Sequence, residues 1–269
     1  MRSDLFYSSA FTRALLVFLQ KAGMFRLVSG FLKTRASRFL IPGFIKKNGI
    51  DMTPFQGHEY SSFAEFFSRK KDVRLLSAAD ALISPCDGLL SVFEVTQDLE
   101  LPLKDSVYTL TDIIPDSGIS EMFRGGLCLV FRLEASDYHH FCFNDDGEQT
   151  GSGYIPGLLH IVQPVALRSV PVFRLNRRWW NFLETEHLGP VLQAEICAVL
   201  VGGVTFFRGG GPFRKGEDMG CFELAGSTVL IFLNSDVLER LSFSDEVMPA
   251  LRQEEVRVRM GEAIGILKN

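Results

Sequence analysis

From Ala81 onward the chain is written in short apolar runs, each cut off by glycine, proline or aspartate. The main runs are Ala81–Ile83, Leu89–Val95, Leu127–Leu133, Tyr138–Phe143, Leu158–Val162, Val170–Leu175, Leu192–Phe207 and Thr228–Leu233. Many are rich in Val, Ile and Phe. Such side chains suit a pleated surface, and turn residues between the runs favour strands. The spacing predicts a β-rich body. Arg177-Arg178-Trp179-Trp180, between two runs, is predicted to form a hairpin tip.

The first part of the chain has a different period. Phe11, Leu15, Phe18 and Leu19 fall on one helical face, as do Met24, Leu27, Val28 and Phe31. Helices are therefore expected over residues 8–40, with breaks at Pro42-Gly43 and Lys46-Lys47-Asn48-Gly49. A further short helix is expected at Ser61–Arg69. The fold class is α+β: N-terminal amphipathic helices (1–70) followed by a β-rich core (71–269).

Charge separates the same two regions. Residues 1–50 hold nine Lys/Arg and one acid, Asp4, although the whole chain carries −4. That net charge excludes a generally basic nucleic-acid binder. A basic, Phe/Leu-rich head on an acidic body suits peripheral attachment to an anionic membrane. Packing of the same stripe on the body is the other reading. Ala14–Leu19 falls far short of the ~18 apolar residues that span a bilayer.

Five cysteines, Cys86, Cys128, Cys142, Cys197 and Cys221, are widely spaced with no CxxC pair, so free thiols are expected. Three segments could carry chemistry. Ser84-Pro85-Cys86-Asp87-Gly88 is a turn with Asp87 at its tip. Asp137-Tyr138-His139-His140-Phe141-Cys142 places two imidazoles in an apolar run, where proton transfer is their natural role. Adjacent residues on a strand point to opposite faces, so the pair is poorly placed to share a metal. Lys215-Gly216-Glu217 and Gly220 lead into Gly226-Ser227-Thr228. A Ser after Gly can attack the preceding carbonyl, because glycine offers no obstruction and tolerates strain.

Taken in order, these segments resemble the phosphatidylserine decarboxylase proenzyme family. Ser61–Arg69 resembles the segment ahead of that family's core. Ser84–Gly88 matches its Ser-Pro-x-Asp-Gly, and Asp137-Tyr138-His139 its Asp-Tyr-His. Gly157-Leu158-Leu159 with Val162 and Pro164, Asn176-Arg177, Glu195 through Gly203, Lys215-Gly216-Glu217 with Gly220, and Gly226-Ser227-Thr228 follow in the family's order.

The resemblance implies conversion of phosphatidylserine to phosphatidylethanolamine without metal or added cofactor. Ser227 would attack the Gly226 carbonyl, and β-elimination would cut the chain into 1–226 and 227–269. The new N-terminus would become a covalent pyruvoyl group, whose ketone takes the substrate amine and withdraws electrons as CO2 leaves. His139 is the expected base, with Asp87 stabilising its imidazolium. The family usually has a second His where this chain has Cys142. His139 as base, His140 as a substitute, and impaired self-cleavage are the three readings of that departure. The implied partners are phosphatidylserine, an anionic membrane, the chain's own cleaved fragment and a second copy in a homodimer. The implied address is the cytoplasmic face of a membrane, the cell membrane in a bacterium. Another serine-headgroup lipid, an amino acid substrate, or an uncleaved membrane-bound pseudoenzyme are the alternatives.

Overall fold

The computed structural model describes residue 7 and residues 9–71, 80–98, 100–103, 106–199, 203–224 and 227–268. Helix α1 (Ala10–Lys21) starts at a capping box: Ser9 Oγ accepts the Thr12 N–H, and Thr12 Oγ1 accepts the Ser9 N–H. Gly23, at φ +80°, turns the chain into α2 (Met24–Leu32), whose axis is bent 63° from α1. Residues with a Cβ rarely adopt that φ. Helix α3 (Leu40–Asn48) runs through Pro42-Gly43, contrary to the expected break. Pro42 lies in the first turn, where its missing N–H costs no intrahelical bond. Helix α4 (Phe63–Phe67) is capped by Ser62, whose Oγ accepts the Glu65 N–H.

These helices use one face to dock. Leu16 and the preceding Tyr7 join the core of the body. Leu32 packs with Phe63, Phe66, Phe67 and Leu224. Gln20 grips the Leu159 backbone twice, donating to its carbonyl (2.9 Å) and accepting its N–H (2.8 Å). The opposite face stays apolar and open: Phe11, Phe18 and Leu27 are 77%, 65% and 72% exposed. Among the described residues no single helix is long and apolar enough to cross a membrane.

The strands of the body are β1 (Ala81–Ile83), β2 (Gly88–Glu94), β3 (Glu100–Leu103), β4 (Ser106–Thr109), β5 (Leu127–Leu133), β6 (His140–Cys142), β7 (Gly147–Ile155) and β8 (Arg178–Thr185). They continue with β9 (Gly189–Cys197), β10 (Val204–Phe206), β11 (Gly211–Phe213), β12 (Asp218–Phe222), β13 (Ser227–Leu233), β14 (Leu241–Phe243), β15 (Val256–Val258) and β16 (Ala263–Leu267). The main sheet is antiparallel, in the order β11-β7-β8-β9-β13-β5-β2-β15. Small sheets β10-β12-β6 and β1-β16-β14 and the hairpin β3-β4 complete the body. The α+β order of the sequence is thus present, with helices first and the β-rich core after them.

Three local expectations differ. Arg178-Trp179-Trp180 lies within β8, paired with β7 and β9, and is no hairpin tip. Val172–Leu175 forms a short helix after Pro171. Leu158–Val162 is irregular apart from a bridge to Asn176. Strand β7 escapes the sequence pattern because Gly147–Tyr154 is mostly glycine and polar residues; pairing on both sides holds it extended.

Strand β13 lies between β9 and β5, and all seven of its residues are buried. Burial of side chains such as Val229, Leu230, Ile231 and Phe232 contributes roughly 1.5–3 kcal/mol each, so this strand anchors the sheet. Because cross-strand partners share a face, Ser227 stands on the same face as Cys197 of β9 and Leu133 of β5.

Candidate active site

Strands β6 and β12 carry the imidazole segment and the Gly216–Gly220 loop past one another. The Phe143 N–H donates to the Glu217 carbonyl, and the Gly216 N–H to that of Phe143. A Cβ on Gly220 would meet the Thr205 carbonyl oxygen at 2.5 Å and the Phe141 ring at 2.9 Å. Glycine is therefore what lets β12 lie this close to both neighbours.

His139 is fully buried, with its ring 4.3 Å from that of Phe67. Its Nδ1 is 2.9 Å from the Asp137 carbonyl, an acceptor only, so Nδ1 carries the proton. Nε2 then holds the lone pair, and it has no partner among the described residues. Burial, opposed by the Asp137 contact, pulls the ring down to a pKa of about 3. The imidazole is therefore neutral at physiological pH, with Nε2 unprotonated.

Ser227 opens β13. Its Oγ is buried and likewise has no partner among the described residues. The chain leaves β12 at Phe222, whose N–H donates to the His139 carbonyl at 2.9 Å, and enters β13 at Ser227. The expected scissile partner, Gly226, lies outside the described residues.

Asp87 is not the partner of His139. One carboxylate oxygen accepts the Met260 N–H at 2.9 Å, and the other lies 3.3 Å from Lys71 Nζ. The expected orienting role on the ring falls instead to the Asp137 carbonyl. A turn tip is reached more easily by a long Lys side chain than by the ring of a residue held in a buried strand approach. The Cys142 N–H donates to the Pro85 carbonyl at 2.8 Å, which places the Ser84–Gly88 turn beside β6.

His140 has both nitrogens committed: Nδ1 to the Asp218 carboxylate at 2.9 Å, and Nε2 to the Ser68 carbonyl at 3.1 Å. Its ring stacks on Tyr138 at 4.5 Å. It is therefore less available as a base than His139. The Cys142 thiol is buried among Phe55, Ile83, Tyr138 and Met260, and burial pushes its pKa up, away from thiolate character. All five cysteines are free and buried, as expected.

One residue quoted in the sequence motifs without a role is prominent here. Glu195 lies two residues before Cys197 on β9, on the face that carries Ser227. Its oxygens accept amide N–H bonds from Gln193 (2.9 Å) and Asn181 (3.0 Å). Burial pushes its carboxyl up to about 8. A lone acid inside the apolar run of β9 was the signal available in the sequence.

A family model described as phosphatidylserine decarboxylase matches residues 62–266. The phosphatidylserine decarboxylase proenzyme 2 of Clostridium acetobutylicum is 33% identical over 264 residues, covering 96% of this chain and 89% of its own. The proenzyme of Clostridium perfringens is 34% identical over 270 residues, with 96% and 90% covered. That of Ruminiclostridium cellulolyticum is 32% identical over 268 residues, with 96% and 89% covered. The matched span takes in Asp87, His139 and Ser227 together, and the chain belongs to the phosphatidylserine decarboxylase family.

Proposed function

We propose that the protein decarboxylates phosphatidylserine to phosphatidylethanolamine after cutting its own chain between Gly226 and Ser227. The observation that carries this reading is the Ser227 hydroxyl, buried at the head of β13 with no partner among the described residues. Its attack on the Gly226 carbonyl turns the peptide bond into an ester. Loss of the Cα proton then expels the carboxylate of residue 226. The dehydroalanine left behind becomes, on hydrolysis with release of ammonia, a pyruvoyl group on the fragment starting at 227. The residues fit such a group, because replacing this hydroxyl by a carbonyl breaks no hydrogen bond among those described. Once formed, the group supplies an electron-withdrawing carbonyl that stabilises the electron pair left as CO2 departs.

The chain's own part in maturation is to move the serine proton. His139 is assigned this role on its Nε2 lone pair, which has no partner among the described residues; it and Ser227 Oγ are not hydrogen-bonded in this arrangement and must approach for the transfer. With that imidazole present, Cys142 does not disable the chain. Asp87 acts with Lys71 at the neighbouring turn rather than on the ring.

The reading includes attachment to an anionic membrane surface. The exposed Phe11, Phe18, Leu27 and Phe39 support it, together with exposed Lys21, Arg26 and Arg35 on the same segment. The deciding experiment is the intact mass of freshly purified active protein. Two fragments, the smaller blocked to Edman degradation, support the proposal. A single full-length chain in active protein overturns it.

A further inference from the structure

Arg69 is a buried cation with no direct ion pair among the described residues, although Asp87 and Asp137 lie within its electrostatic reach. Its side chain follows α4 and is only 3% exposed. Its hydrogen bonds go to the carbonyls of Phe67, Ser136 and Asp137, all at 3.4–3.5 Å, the long end of the range. Its Nε has no partner, and no carboxylate forms an ion pair with it among the described residues. The guanidinium lies between the Phe55 and Phe66 rings, 5.0 and 5.1 Å from their centroids. Rings soften the cost of burying a cation but do not supply an acceptor. Buried charges in folded proteins are ordinarily paired, because taking an ion out of water is costly.

The same side chain lines a cavity of about 390 Å³ between the 49–55 segment and the body. Lys71, Asp87, Asp137, Arg257 and Arg259 share the wall. Lys71 pairs with Asp87 at 3.3 Å, and Arg257 with both Asp137 and Glu134 at 2.7 Å. Arg259, exposed at the wall, has no ion pair among the described residues; Asp51, also on the wall, lies within its electrostatic reach. The wall carries four cations, Arg69, Lys71, Arg257 and Arg259, against three carboxylates, Asp51, Asp87 and Asp137. Tyr138, which borders the cavity, directly precedes His139 in the chain.

We propose that Arg69, with Lys71 and Arg259, forms a subsite for a phosphate-bearing anion and that its ligand is the phosphodiester of the lipid headgroup. The inference rests on the reading of the protein as a phospholipid decarboxylase. The Arg fork is suited to two oxygens of one phosphate, and Lys71 adds a point charge. A purely structural role for Arg69, clamping the 136–137 backbone ahead of His139, predicts no dependence of anion affinity on this residue.

The test is calorimetric titration of the full-length protein and of Arg69→Gln, Arg69→Lys and Arg259→Gln. The probes are glycerophosphoserine, glycerophosphoethanolamine, inorganic phosphate and free serine. The subsite predicts that both phosphodiesters bind and that free serine does not. Arg69→Gln should lose at least tenfold in affinity, Arg69→Lys less, and Arg259→Gln a few-fold. In turnover of micellar phosphatidylserine, Arg69→Gln should raise KM at least tenfold with kcat nearly kept. Unchanged phosphodiester affinity in Arg69→Gln overturns the subsite. So does unchanged affinity in Arg259→Gln, should Arg69→Gln fail to fold. Inorganic phosphate binding as tightly as glycerophosphoserine assigns the site to free phosphate and overturns the headgroup. Phosphodiester binding without any decarboxylation would overturn the enzymatic reading and leave the subsite standing. Decarboxylation with unaltered Arg69→Gln binding would do the reverse.

Discussion

The carbonyl of Asp137 holds Nδ1 of His139 at 2.9 Å across two residues of chain. That contact fixes the tautomer, so the Nε2 lone pair exists whether or not a carboxylate is nearby. Removing the imidazole should therefore stop maturation: His139→Ala is expected to slow self-cleavage by roughly 10²–10⁴-fold, the usual range for a lost general base. Cys142→Ala should mature at close to the normal rate, because a buried thiol is a poor base. Asp87→Asn should fall between the two. Gel analysis of the chain against time after synthesis measures all three; cleavage in His139→Ala with none in His140→Ala would identify the other ring.

Acid sensitivity follows from the same ring. Unfolded, it titrates near 6.5; folded, at about 3. Between those values the unfolded chain binds a proton that the folded chain refuses, so stability is lost as pH falls from about 6.5 towards 3. Above about 6.5 the ring adds no pH dependence. Urea midpoints of His139→Asn and wild type should therefore converge on acidification from pH 7 to pH 4. Parallel curves would mean that the ring titrates normally in the fold.

Glu195 predicts the opposite window. Its folded value of about 8 lies above the ordinary 4.5, so the folded state keeps a proton that the unfolded state has released. Stability is then lost as pH rises from about 4.5 to 8, and is level above that. Glu195→Gln should gain on wild type across this interval, by an amount on the order of a few kcal/mol at most. Denaturation midpoints at pH 5, 7 and 9 give the comparison, and a pH-independent difference would show an ionised carboxylate throughout.

Membrane attachment is best tested on the outer helix face. Residues 7–50 also supply Tyr7, Leu16 and Leu32 to buried clusters, so a truncation would strip the core as well as the stripe. Lys21, Arg26 and Arg35 are exposed and have no carboxylate partner among the described residues. Replacing all three by Gln should weaken sedimentation with anionic vesicles by roughly 100-fold at about 1 kcal/mol per charge. Phe11→Ser with Phe18→Ser and Leu27→Ser should weaken binding in high salt too. Co-sedimentation equal to that of wild type in both variants would reduce the helices to packing elements.

The fold class was legible because the charge balance shifts after residue 50 and the apolar period changes by Ala81. Element boundaries followed where apolar runs met turn residues, as at Leu127–Leu133 and Thr228–Leu233. Strand β7 was not legible, since its extended form comes from neighbours on both sides rather than from its own side chains. The break placed at Pro42 failed because proline obstructs a helix only beyond its first turn. At the site, the motifs named His139 and Ser227 as candidates, and the structure gives each a buried, unpartnered polar atom. The pairing of Asp87 with Lys71 was invisible to spacing, because it depends on which long side chain reaches a turn tip. Arg69 and Glu195 lay inside quoted motifs; Glu195 stood out as an acid in an apolar run, whereas Arg69 is distinguished only by its burial without an ion pair.

Strand β13 is clasped by β9 on one side and β5 on the other, and β15 and β16 of the same segment pair with β2 and β1. A scission just ahead of Ser227 therefore releases nothing: the C-terminal piece is woven into sheets whose other strands belong to the N-terminal piece. The register that positions Ser227 exists only after its two neighbours, drawn from distant stretches of chain, have zipped onto it. On the proposed reading, conversion of the serine would serve as a certificate of completed folding. A misassembled copy would stay chemically inert, and the reactive ketone would arise only inside a finished molecule.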